Sequence, residues 1–196
     1  MSAKKNKILI LGSTGMLGFN LEKVLKKNNI KFLKTSRKKT KGCIKFDVIK
    51  DSLDKLPKCD YYINCIGVIN KLIEKKNIIE TININSLFPY RLSEFCEKKK
   101  IKLIHISTDC VFSGRKSNYV ETDIHDPIDI YGKTKSLGEP LNCMIIRTSI
   151  IGEESNNNKS LVEWVKGKKN KKIDGYLNHI WNGLTAKHLS EILLKI

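Results

Sequence analysis

The sequence predicts an α/β fold with a doubly wound parallel sheet, followed by a small, truncated C-terminal lobe. Three observations carry this. Short, continuous apolar runs recur along the chain, as strands buried on both faces require. Stretches with helical periodicity alternate with them, the order of βαβ units. The first apolar run ends on Gly12-Ser13-Thr14-Gly15-Met16-Leu17-Gly18, and a helical pattern begins inside that loop.

Residues 7–11, apolar after Lys7, stop at Gly12 and read as a buried strand. Residues 16–27 place Leu17, Leu21, Val24 and Leu25 on one side of a helix. Residues 30–35, 43–46 and 61–66 are the next three strands. Residues 77–99 form a long helical stretch, in which Pro89 marks a kink or a restart. Residues 101–107 and 144–148 are the fifth and sixth strands. Between them, residues 114–129 are rich in turn formers and acids and read as a loop over a cleft. Residues 153–159, with Ser155 and Asn156 to Asn158, are a linker. Beyond it come an amphipathic helix around residues 161–165, an extended piece near 173–177, and a last helix capped by Thr185. The chain thus divides into a nucleotide-binding domain over residues 1–152 and a lobe over 153–196. The apolar end, residues 192–196, should dock on the core or on a second copy, giving a homodimer.

A GxxGxxG loop between strand and helix brings backbone close to a pyrophosphate at the helix N-terminus. This is the signature of a Rossmann-type domain that binds a nicotinamide dinucleotide. The end of the second strand selects the cofactor. An acid there would bind the ribose hydroxyl of NAD, whereas Arg or Lys suits the phosphate of NADP. No acid occurs between Glu22 and Asp47, and Ser36-Arg37-Lys38-Lys39 follows the strand. Arg37 can make a forked contact to a phosphate. NADP(H) is therefore favoured and NAD(H) remains possible. Asp47 could meet the adenine edge or cap the next turn.

Tyr131-Gly132-Lys133-Thr134-Lys135 supplies the chemistry. Positions i and i+4 share a helix face, so Tyr131 and Lys135 can point into one cleft. A phenol titrates near ~10, and a neighbouring ammonium should lower that value. Tyr131 could then donate a proton to a carbonyl oxygen that Thr108 also holds.

The formal net charge is +17. The excess is spread along the chain and is nearly all Lys, with arginine only at Arg37, Arg91, Arg115 and Arg147. Base readout favours Arg and interleaved aromatics, so no specific nucleic-acid binding is expected. A polyanionic ligand would gain from the positive field. No apolar run approaches a membrane span, and residues 1–7 lack the features of a signal peptide. Cys43, Cys59, Cys65, Cys96, Cys110 and Cys143 include no metal-ligand spacing. Reduced thiols and a cytoplasmic location follow.

Ser107-Thr108-Asp109-Cys110-Val111-Phe112-Ser113-Gly114 is followed by Tyr119, Glu121, Asp123 and Pro127, then by Tyr131 to Lys135, Gly138-Glu139 and Arg147-Thr148. With Asn64-Cys65-Ile66-Gly67, these segments resemble the extended short-chain dehydrogenase/reductase superfamily. Within it the chain is most similar to the dTDP-4-dehydrorhamnose reductase family of nucleotide-sugar 4-keto reductases. The resemblance implies Thr108, Tyr131 and Lys135 as catalytic residues and a nucleotide-sugar substrate. It implies that Gly12, Thr14, Gly15, Met16 and Leu17 hold the pyrophosphate, Asp47 and Val48 flank adenine, and Cys65, Ile66 and Gly67 meet the ribose. Asn85 matches an asparagine that supports the site, or is an ordinary buried polar residue. Two departures stand out: Cys110 replaces an aromatic, and family members continue past the position of Ile196. Trp181 and Asn182 sit where a lid over the sugar would lie, or Trp181 is a packing residue. The alternatives within the superfamily are a nucleotide-sugar epimerase and a non-catalytic NADP-binding subunit like that of methionine adenosyltransferase.

Overall fold

The computed structural model describes residues 7–73, 77–154 and 160–196. Strands β1 (Ile8–Leu11), β2 (Phe32–Ser36), β3 (Ile44–Lys45), β4 (Tyr61–Asn64), β5 (Lys102–Ile106) and β6 (Met144–Ile146) form one parallel sheet. Their order is β3-β2-β1-β4-β5-β6. The order reverses between β1 and β4, and sheets of this kind bind ligands at the carboxyl ends of the strands flanking that point.

Side chains alternate across the sheet. Leu9, Leu11, Tyr62 and Leu103 face one layer, where Phe88, Leu92 and Cys96 of α3 (Phe88–Lys99) cover them. Ile10, Ile63 and Ile104 face the other, under Leu17, Leu21 and Leu25 of α1 (Met16–Lys27) and Leu189 and Leu193 of α6 (Ala186–Leu193). The C-terminal apolar stretch therefore docks on the core of its own chain. Each such leucine contributes about 1.5–3 kcal/mol. Thr185 caps α6 as the sequence predicts, its hydroxyl accepting from the His188 N–H at 3.0 Å.

The long helical stretch is not continuous. It consists of α2 (Ile78–Ile82), a π turn (Asn83–Leu87) and α3, with Pro89 in the first turn of α3. Proline needs no N–H partner there, so Pro89 marks a restart. The wide turn carries Ile84, Asn85 and Ser86 into the interior. Two further short helices among the described residues are α4 (Ile130–Ser136) and α5 (Leu161–Lys166).

Residues 173–177 are not extended in a ladder; Tyr176 and Leu177 stand open to solvent. The second sheet instead pairs β7 (Ile150–Ile151) with β8 (Leu184–Thr185). Docking of α6 explains the choice, because it brings Leu184 alongside Ser149, whose carbonyl accepts the Leu184 N–H at 3.0 Å. The core of the expected linker, residues 155–159, lies outside the described residues, as do residues 1–6 and the basic pair Lys75-Lys76. All six cysteines are free. Among the described residues no helix is long and apolar enough to cross a membrane, and no His, Cys, Asp and Glu group could hold a metal ion.

Candidate active site

The glycine loop joins β1 to α1. Gly12 has φ +81°, and a Cβ there would lie 2.8 Å from the Ile66 side chain. Both facts require glycine. At Gly18 a Cβ would meet the Gly12 carbonyl oxygen at 2.4 Å, so the helix can press on the loop only without a side chain. Thr35 of β2 pins the loop from below: its hydroxyl accepts the Gly12 N–H at 3.3 Å and its carbonyl accepts the Ser13 hydroxyl at 2.9 Å. Gly15 is the N-cap of α1; no side chain caps the helix and no acid lies in its first turn. Thr14, Met16 and Leu17 thus surround a helix N-terminus suited to an anion.

After β4 the chain passes close over this loop. The Cys65 N–H donates to the Leu11 carbonyl at 3.0 Å. Burial pushes the Cys65 thiol up to about 12, so it stays neutral. Gly67 lies beside Asn85 and Lys135: a Cβ on it would be 3.6 Å from Asn85 Oδ1 and 4.0 Å from Lys135 Nζ. Asn85, fully buried in the π turn, accepts the Val68 N–H at 2.8 Å. Its Nδ2 donates to the Val68 carbonyl at 3.0 Å and to the Thr134 hydroxyl at 3.2 Å. The Ser86 hydroxyl donates to the Thr134 carbonyl at 2.7 Å. The π turn therefore straps the segment after β4 to α4. Glycines let α4 approach: a Cβ at Gly138 would lie 1.8 Å from the Asn85 carbonyl oxygen, and one at Gly132 2.2 Å from that of Cys110.

Helix α4 starts at Asp129, whose Oδ1 accepts the Gly132 N–H at 2.7 Å. Its other oxygen accepts Asn70 Nδ2 at 2.8 Å. Thr108, buried past the end of β5, accepts the Cys110 N–H at 3.2 Å and donates to Asp109 at 3.1 Å. The electrostatics correct one expectation. Burial pushes the Tyr131 phenol up to about 12; a hydrogen bond with the Thr108 side chain opposes this, while Cys110, Asp109 and Asp129 add to it. Tyr131 is thus held as a phenol rather than eased toward phenolate. Lys135 bears the opposite shift. Burial pulls its ammonium down to about 8, against the pull of Glu139 and Cys65. Lys135 Nζ donates to the Ile106 carbonyl at 2.8 Å.

The basic end of β2 and the acid after β3 flank the same edge. Arg37 is exposed, 3.6 Å from Glu80. Asp47 Oδ1 accepts the Ile49 N–H at 3.0 Å, the cap of a turn. Val48 is buried and its carbonyl accepts from Arg91 at 3.0 Å. Trp181 is half exposed and donates its indole N–H to the Ser149 hydroxyl at 2.8 Å.

Two groups of polar residues beneath the site have no signal of their own in the sequence. Asn64 and His105 are register partners on β4 and β5 and bond to each other at 2.9 Å. Glu139, buried past α4, accepts from the Ser107 hydroxyl and from Arg147 Nε and Nη2 at 3.0 and 2.9 Å. Arg147 Nη1 also donates to the Glu121 carbonyl at 2.8 Å and the guanidinium lies 5.5 Å from the Phe112 ring centre. Phe112 stacks on Tyr119 at 4.4 Å. This network ties the loop over residues 114–129 to β6 and α4. The Gly138-Glu139 and Arg147 positions were visible as parts of a resemblance, but their joint burial was not.

A family model for the RmlD substrate binding domain matches residues 6–175. The chain is 30% identical over 159 residues to a dTDP-4-dehydrorhamnose reductase of Aggregatibacter actinomycetemcomitans, a match covering 77% of this chain and 54% of that protein. The chain thus spans about half the length of that relative. Among solved structures, a hypothetical dTDP-4-dehydrorhamnose reductase from Sulfolobus tokodaii superposes with TM-score 0.79 at 27% identity, over 96% of this chain and 71% of that one. The enzyme of the same name from Bacillus anthracis, in complex with NADP, superposes with TM-score 0.82 at 23% identity, over 100% of this chain and 71% of that one.

Proposed function

Because the chain belongs to the RmlD substrate binding domain family, we propose that it reduces the 4-keto group of a nucleotide-linked 6-deoxy sugar, with NADPH as reductant. The observation that carries the reading is one arrangement. Tyr131 sits one turn before Lys135 on α4, the Thr108 side chain acts against the upward shift of the Tyr131 phenol, and Gly67 past the strand end lies beside Lys135. The residues present fit the cofactor. The Gly12 turn admits no side chain, α1 offers an uncapped N-terminus, and Arg37 stands at the end of β2.

In this reading Gly12, Thr14, Gly15, Met16 and Leu17 hold the pyrophosphate. Arg37 would take the ribose phosphate, and Cys65, Ile66 and Gly67 would meet the second ribose. Asp47 and Val48 flank the adenine, with the Asp47 carboxylate already engaged as a turn cap. NADPH held there would be the source of the hydride for the carbonyl carbon. Tyr131 holds the proton at its hydroxyl oxygen and delivers it to the carbonyl oxygen, which Thr108 orients. A phenol that is protonated at neutral pH is the form this direction of reaction needs. Lys135 returns a proton to Tyr131 and binds ribose. Asn85 keeps α4 and the segment after β4 in register. The surroundings are taken to be cytoplasmic, where thiols stay reduced.

Tyr131→Phe keeps the ring and removes the proton. It should lower NADPH-dependent reduction of a dTDP-4-keto-6-deoxy sugar by about 10²–10⁴-fold, with NADPH affinity unchanged. Unchanged turnover in the variant would overturn the assignment. NADPH binding without turnover in the wild-type chain would favour the non-catalytic alternative.

A further inference from the structure

Behind Lys135 lies a buried histidine that the proposed chemistry does not use. His105 is fully buried on β5. Its Nδ1 is 2.9 Å from Asn64 Nδ2, and its Nε2 is 3.5 Å from Lys135 Nζ.

The proton on this ring can be placed by following the hydrogen bonds. Asn64 Oδ1 accepts the Ile66 N–H at 3.1 Å, which fixes the orientation of the amide. The NH₂ group therefore faces His105, and an NH₂ group can only donate. Nδ1 must be the acceptor and carries no proton. A neutral imidazole has one N–H, so it sits on Nε2 and points at Lys135. The ring is neutral, because burial, and then Lys135, hold its pKa well below the usual histidine value.

An N–H aimed at an ammonium meets another donor. Aimed at an amine, it meets a lone pair. With one Nζ position committed to the Ile106 carbonyl and a second to His105, the remaining N–H is left for the cleft beside Gly67. The other groups that act on Nζ are Glu139 beyond α4 and Cys65 after β4. Glu139 favours the ammonium, and Cys65 acts in the same direction.

We propose that His105, locked by Asn64 as its Nε2-protonated tautomer, is the positioning residue that aims Lys135 into the cleft and biases it toward the amine. The inference rests on the reading of Lys135 as the proton partner of Tyr131. It gives that lysine a reason to gain and lose a proton near neutral pH, as a group that resupplies Tyr131 must.

The test uses the full chain and needs no turnover. Long-range ¹⁵N–¹H NMR on labelled protein should show His105 with a bare Nδ1 and a protonated Nε2. A proton on Nδ1 would overturn the proposal even if no variant folds. His105→Asn keeps an acceptor for Asn64 and deletes the N–H facing Nζ. The Lys135 titration, followed by ¹³C NMR at its ε-carbon, should then move up by about one pH unit. A folded variant with an unmoved Lys135 midpoint would also overturn it. If the wild-type chain oxidises no NADPH with keto-sugar nucleotides while both NMR results hold, the reductase reading fails and the His105–Lys135 coupling stands.

Discussion

Replacing Lys135 by Met should make the protein more stable and less active. Lys135 is 3% exposed, and burial holds its ammonium at about 8 instead of 10.5. A displacement of ~2.5 units corresponds to a penalty of about 3 kcal/mol while the lysine must be charged. Met fills a similar volume without a charge. The substitution also removes the hydrogen bond to the Ile106 carbonyl, which costs about 1–2 kcal/mol. The net gain expected at pH 7 is about 1 kcal/mol, read from urea unfolding followed by circular dichroism. The pH dependence is the sharper readout. Between pH 8 and 10.5 the unfolded chain binds more protons at this lysine than the folded one, so wild-type stability rises with pH in that window. The penalty is fully present below pH 8, and the advantage of the variant should shrink by about 1 kcal/mol between pH 7 and 9. A variant less stable than wild type by the same margin at both pH values would refute the reasoning, because Lys135 would then not be a buried, strained ammonium. Such a gain in stability at a loss of activity is the usual signature of a functional charge held in an apolar site.

Two other substitutions test the flanks of the site. Arg37→Ala should weaken NADPH roughly 10–100-fold, the value of a charged hydrogen bond, and leave NADH nearly untouched in a fluorescence titration; equal losses for both would remove Arg37 from cofactor selection. Gly138→Ala forces a Cβ against the Asn85 carbonyl oxygen, 1.8 Å away on a rigid turn, so unfolding free energy should drop by about 1–3 kcal/mol, and a neutral result would mean that α4 is free to slide over the π turn.

Much of the site was legible because its signals are local. The Gly12 to Gly18 loop, the start of α1 at Met16 and the Tyr131/Lys135 pair each span less than two helical turns, where spacing along the chain maps directly onto space. The Thr185 cap was legible for the same reason. Pro89 announced an interruption but not its kind. A π turn differs from an α turn by one residue, and only the packing of Asn85 and Ser86 against Thr134 makes the wider turn worth forming. Residues 173–177 alternate plausibly for a strand, yet a strand needs a partner, and the partner of β7 was decided by where α6 docks.

The sequence by itself determined the parallel sheet, the glycine loop between β1 and α1 and the shared helix face of Tyr131 and Lys135, because apolar runs, glycine spacing and an i, i+4 relation are short-range properties of the chain. The tertiary structure decided the charge states. Neighbouring Lys135 should have lowered the Tyr131 phenol, but burial and the nearby Asp109 and Asp129 raise it, and burial displaces the lysine instead. It also decided which polar residues stand behind the pair. Asn64 and His105 lie 41 positions apart, and Ser107 and Glu139 32 apart. Only strand register and the return of α4 over the sheet bring them together, and in a low-dielectric interior those contacts set where each proton resides.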